Sequence, residues 1–164
     1  MKNVIDLNAP NICINSAMRS VLTSHKVPDR LTSFMTSVFT DISVRNALKK
    51  AIVQNDCLLL TRAKTPATVL SSDEDKFLLE HDHNELYFNS RLIVNNLNVS
   101  VPILLTRIKK VLSKQINGRR LEITLSVQTG EFPSVTVYIH TLRESVTYLG
   151  DIDSFSQPIL HMIF

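Results

Sequence analysis

Glu122, His140, Tyr138 and Arg120 are the residues best suited by type to acid–base chemistry. A carboxylate beside an imidazole can serve as general base and general acid. A neighbouring cation can steady the negative charge that builds up in phosphoryl transfer. Metal-independent ribonucleases place such groups on an antiparallel sheet, so RNA cleavage is the reaction this set would suit. A second set is basic. Arg107, Lys110 and Lys114 recur at three and four residues, and Arg119 and Arg120 follow. Such a stripe can track the phosphates of a nucleic acid. Stacking aromatics are scarce beside it, since the chain has no Trp and only Tyr138 and Tyr148 lie near in sequence.

Both sets depend on the elements between Ser100 and Gly150. Leu104, Leu105, Ile108, Val111, Leu112 and Ile116 fall at helical spacing and predict an amphipathic helix over about 101–116. Ser100 is placed to cap it, Pro102 suits its first turn, and Asn117-Gly118 ends it. Period-two alternation then predicts strands. Leu121, Ile123, Leu125 and Val127 form one apolar face, and Val135, Val137 and Ile139 another. A third, shorter strand is expected around Val146 and Tyr148. Short turns make these strands an antiparallel β-meander over about 119–150, with the helix packed on its apolar side.

Register makes the first set specific. The two apolar faces must coincide, and a five-residue turn over 129–133 sets Val127 opposite Val135. Glu122 then falls opposite His140 and Thr124 opposite Tyr138, all on the polar face. A two-residue second turn would bring Thr147 beside His140.

The N-terminal half reads as helical. One helix is expected from Asn15 to Ser24. Pro28 opens a second, with Leu31, Phe34, Met35, Val38, Phe39 and Ile42 at i, i+3, i+4, i+7 spacing. Ser43 is placed to cap a further segment running to Gln54. Cys57 to Leu60 reads as a buried strand and Leu86 to Val94 as another. Arg62 to Asp82 reads as a long loop, with a short helix opening after Ser72. The fold class is α+β: N-terminal helices, then the meander, in one domain over 1–164.

Composition narrows the functions. Hydrophobic residues make up 44% and charged residues 20%, with a net charge of +3, a balance too mild to demand a polyanion. Three glycines cannot build a phosphate-binding loop, and no nucleophile elbow is present. His81-Asp82-His83 is the one His/acid cluster, but it lacks further ligands nearby, so neither a metal nor a cofactor is expected. Cys13 and Cys57 sit among apolar residues and read as buried free thiols, as suits a reducing compartment. No apolar run is long enough to span a membrane, and the first residues lack the apolar core of a signal peptide.

A Glu–His pair on a sheet is more often a cross-strand contact than an active site. The reading that follows is a small cytosolic protein-binding module without catalytic activity. Immunity proteins, antitoxins, secretion chaperones and adaptors share its size and character. Another protein is the expected partner, and self-association is compatible with a helix-backed sheet. The alternative is a nucleic-acid-binding protein or metal-independent ribonuclease. It would use Glu122, His140 and Tyr138, with Arg107, Lys110, Lys114, Arg119 and Arg120 holding phosphates.

Overall fold

The computed structural model describes residues 5–60, 70–116, 118–146 and 149–164. Its architecture is α+β, built on a five-stranded antiparallel sheet. In chain order, β1 (Ile12–Ile14) leads into helices α1 (Ser16–Ser24) and α2 (Arg30–Leu48). A hairpin of β2 (Ile52–Gln54) and β3 (Cys57–Leu59) follows, then α3 (Asp73–His83) and β4 (Glu85–Phe88). Next come α4 (Arg91–Val94), α5 (Leu97–Leu112), β5 (Leu121–Gln128) and β6 (Ser134–Thr141). A 3-10 turn at Ile152–Ser154 precedes β7 (Ile159–Ile163), and the strand order is β1-β7-β5-β6-β4.

The central hairpin has the register that parity dictates. Val127 pairs with Val135, Glu122 with His140 and Thr124 with Tyr138. Its outer neighbours differ from a meander. The far side of β6 takes β4, with Glu85 opposite Tyr138 and Phe88 opposite Val135, and β5 takes β7. After Thr141, Arg143 is drawn to Glu80 on α3 and the chain turns there. Thr147 and Tyr148, expected in a third strand, lie outside the described residues.

Helix α5 starts one turn earlier than its apolar arc suggests. Ser100 therefore sits inside it rather than at its cap, and its hydroxyl donates to the Ile93 carbonyl at 2.8 Å. Pro102 lies within the helix, where its missing N–H forgoes one bond along the backbone ladder. The helix ends at Leu112, and the amides of Gln115 and Ile116 close back on the Leu112 carbonyl. Leu104, Leu105, Ile108 and Leu112 are fully buried and share one hydrophobic cluster with Ile123, Leu125, Val127, Val135, Val137 and Ile139.

Two further segments depart from the sequence pattern. Helix α2 runs unbroken to Leu48, and residues after it form β2 rather than more helix. The cause is a two-residue turn at Asn55 and Asp56, both with positive φ (49° and 70°), which suits Asn and Asp and folds β2 back on β3. The expected loop over 62–82 contains the longer helix α3. Ser72 caps it by accepting from the Asp75 amide, and its first turn holds Asp73, Glu74 and Asp75, which favour the positive helix end. Residues 61–69 of that stretch lie outside the described residues. The expected strand over 86–94 divides into β4 and α4.

Buried Asn15 secures the C-terminal segment. Its side-chain oxygen accepts from the amides of Met18 and Ile159, so it caps α1 and holds β7 at once. Its amide group donates to the carbonyls of Ile152, Phe155 and Gln157. Both cysteines are free, but only Cys57 is buried. Cys13 is exposed, because β1 is the sheet edge and alternation turns its middle residue outward.

Ile139 lies at the centre of this core, fully buried. Ile139→Ala is expected to lower unfolding free energy by about 2–5 kcal/mol, the range for large-to-small changes in a packed interior. Chemical denaturation read by circular dichroism checks it. A loss near zero would mean that this face of the sheet is not packed.

Candidate functional site

The structure brings Glu122 and His140 to adjacent strand positions, but their side chains engage different neighbours. His161 Nε2 on β7 lies 3.4 Å from Glu122 Oε1, and His161 Nδ1 lies 3.4 Å from the Thr124 hydroxyl. Burial raises the Glu122 pKa and lowers that of His161, so it disfavours charge at both ends of the pair. His140 is fully buried. Its ring lies 4.6 Å from that of Phe77 and 5.7 Å from that of His81, both on α3. His81 also stacks on Tyr138 at 5.2 Å, and the Tyr138 hydroxyl donates to Glu85. Burial and the nearby His81 and Arg143 push the His140 pKa down to about 3, so the ring is neutral at ordinary pH. Helix α3 thus lies over the polar face of the hairpin. His81 belongs to this aromatic layer, and among the described residues no group of three His, Cys, Asp or Glu is placed to hold a metal.

A buried ion pair that sequence spacing does not reveal holds α3 in place. Glu80 is fully buried. Arg143 donates to both its oxygens, at 2.7 and 3.2 Å. The Thr141 amide and hydroxyl add bonds of 2.8 and 2.7 Å, and the Leu58 amide one of 2.7 Å. Burial works against charge on Arg143, but the bond and charge of Glu80 outweigh it and its pKa ends higher. One turn on, buried Asn84 accepts from the Leu60 amide and donates to the carbonyls of Leu58 and Ile139. The signal that could have found this knot is an acid inside a short apolar helix segment, Phe77-Leu78-Leu79-Glu80.

The basic residues fall into two places. Arg107, Lys110 and Lys114 join Arg45 of α2 in lining a groove of about 460 Å³. Asp41 binds both Arg45 and Arg107, which offsets part of that charge. Arg119 and Arg120 line a separate groove of about 320 Å³ with Asp56, Asp73 and Arg143, and Arg119 is salt-bridged to Asp56. Neither groove is lined by Glu122, His140 or Tyr138.

Helix α2 offers the most unusual surface. An apolar stripe on a helix ordinarily faces the core. Here Leu31, Phe34, Met35, Val38, Phe39 and Ile42 are each between 42% and 68% exposed, and Val27 just before them is 86% exposed. The helix turns Thr36, Thr40, Val44 and Leu48 inward, on the side that packs against α5. The hydroxyls of Thr36 and Thr40 are buried with no hydrogen-bond partner among the described residues, an arrangement that costs stability. A patch of several hundred Å² of this kind reaches the upper range for a monomeric protein, about 300–600 Å², and such patches commonly mark an interaction site. The sequence signal was the small polar series Ser33, Thr36, Ser37 and Thr40 opposite the stripe.

Two predictions follow from the α3 contacts. Arg143→Met should cost about 3–5 kcal/mol, because it strands a buried carboxylate, and the double variant Glu80→Leu/Arg143→Met should recover much of that loss. Denaturant melts of the three proteins decide it, and a single variant as stable as the parent would remove the ion pair from the account. His140 has a folded-state pKa of about 3 against an ordinary 6.5. Its contribution is therefore complete above pH 6.5 and is lost progressively as pH falls towards 3. Relative to His140→Phe, the parent should lose up to about 1.4 kcal/mol of stability per pH unit across that window. Parallel pH profiles for the two proteins would contradict the buried neutral ring.

No family model, curated protein or solved structure matches this chain.

Proposed function

We propose that this chain is a small cytosolic protein-binding module, working by association rather than catalysis, of the kind seen in immunity proteins, antitoxins, chaperones and adaptors. The observation that carries the reading is the outward apolar face of α2. Turning that helix over would bury two phenylalanines and return two threonine hydroxyls to water. The chain folds with the less favourable face inward, which suits a face kept for a partner. Aromatic residues and Met are enriched at the centres of protein interfaces, and charges are depleted there. The stripe from Leu31 to Ile42 fits that pattern.

A second reading rests on the groove that Arg45, Arg107, Lys110 and Lys114 line. It would suit phosphates, and Lys110 and Lys114 are exposed there. The two readings part in one experiment. Tagged protein is incubated with extract of cells expressing the untagged chain, with and without nuclease. The association reading expects one protein retained in fixed ratio, indifferent to nuclease. Affinity should fall roughly 1,000-fold in Phe34→Asp/Phe39→Asp, two anchors each worth about 2 kcal/mol. Retention lost on nuclease treatment, or steeply with salt, and unchanged in that variant would favour the nucleic-acid reading instead.

A further inference from the structure

We infer that the occupant of the α2 face is a second copy of this chain, docked antiparallel across a two-fold axis that passes level with Thr36 and Ser37. The inference rests on the association reading above and names its partner.

The spacing of the stripe is its first support. Its residues mirror one another about the midpoint between Thr36 and Ser37: Leu31 with Ile42, Phe34 with Phe39, Met35 with Val38. In an antiparallel pair related by a two-fold axis, mirrored positions lie at the same level. Along the centre of the stripe Leu31 would meet the partner's Ile42 and Met35 the partner's Val38, while on its two margins Phe34 would lie beside the partner's Phe34 and Phe39 beside the partner's Phe39. Each exposed apolar side chain of the stripe then finds an apolar side chain opposite, and two phenylalanine pairs flank the axis.

Charge selects the orientation. The stripe itself carries no charged residue. Asp41 lies at its side and is already bound to Arg45 and Arg107. At the N-terminal end stand Asp29, exposed and capping α2, and exposed Arg30, and towards the C-terminal end stands Arg45. Antiparallel docking opposes the helix dipoles. Parallel docking would align the dipoles.

Area is consistent with a stable pair. The stripe runs about 16 Å along the helix at 1.5 Å per residue. With Val27 and the flanking rim, it approaches the roughly 800 Å² per partner of a specific complex. None of its side chains is long and charged, so two such helices can approach to the usual 8–10 Å.

The test is sedimentation equilibrium of the full chain, with single and paired charge variants on the stripe. The parent should sediment at twice the 18.5 kDa chain mass at tens of micromolar. Met35→Glu alone and Val38→Lys alone should each weaken the dimer at least 100-fold while keeping the parent's circular dichroism. Both residues are already half exposed, so the fold tolerates the change. Combining them sets a carboxylate opposite an ammonium in the antiparallel pair, and the dimer should return to within about tenfold of the parent. In a parallel pair the same combination would set like charges together and leave a monomer. A parent that stays monomeric to about 100 µM, a dimer indifferent to both single changes, or a double variant that stays monomeric would each overturn the inference. A monomeric parent that still retains a different protein through the α2 stripe would sink the second copy and leave the association reading standing. A monomer that retains nothing would sink both.

Discussion

The Glu80 carboxylate is the point on which the rest of the structure depends. A buried charge is tolerated only when it is paired and its lone pairs are filled. Glu80 meets that demand with bonds from Arg143, Thr141 and Leu58, which bind α3 to the end of β6 and to β3. Asn84 repeats the linkage one turn on. Fixed in this way, α3 lays Phe77 and His81 over His140, and the polar face of the central hairpin becomes an interior layer. Both faces of the hairpin are then covered, one by the apolar arc of α5 and the other by α3.

With the sheet covered, the outer side of α2 is left as an exposed apolar face. Its inward side is assembled from small and polar residues that let α2 lie close against α5. Burying Thr36 and Thr40 without hydrogen-bond partners lowers stability, while Phe34 and Phe39 outside contribute little to it. A conflict of this kind between local preference and packing is where function is to be expected.

Much of this was legible in the residues, and the part that was not has physical reasons. Period-two alternation and a five-residue turn were enough to set Glu122 opposite His140, because a shift of one residue would turn every apolar side chain outward. The arc from Leu104 to Ile116 likewise marked the buried side of α5. Strand neighbours were harder. That β6 takes β4 on its far side rests on contacts such as Tyr138 with Glu85, 53 residues apart in sequence. The side presented by α2 was ambiguous for a different reason. A 3.6-residue pattern shows that one face is apolar, but it does not show whether that face meets the core or a partner. Cys13 was misjudged because its apolar neighbours suggested burial, whereas alternation along β1 turns it outward between buried Ile12 and Ile14.

The central claim is that the Phe34 side of α2 faces outward and is covered by association. Thiol labelling tests it most directly, with a single cysteine placed on either side of the helix in a Cys13→Ser background. In dilute solution Phe34→Cys should be labelled quickly and Thr36→Cys hardly at all. Raising the protein concentration should protect position 34 and leave position 36 unchanged. Rapid labelling at 36, with position 34 protected at every concentration, would mean that the apolar side of α2 belongs to the core, and would contradict the account.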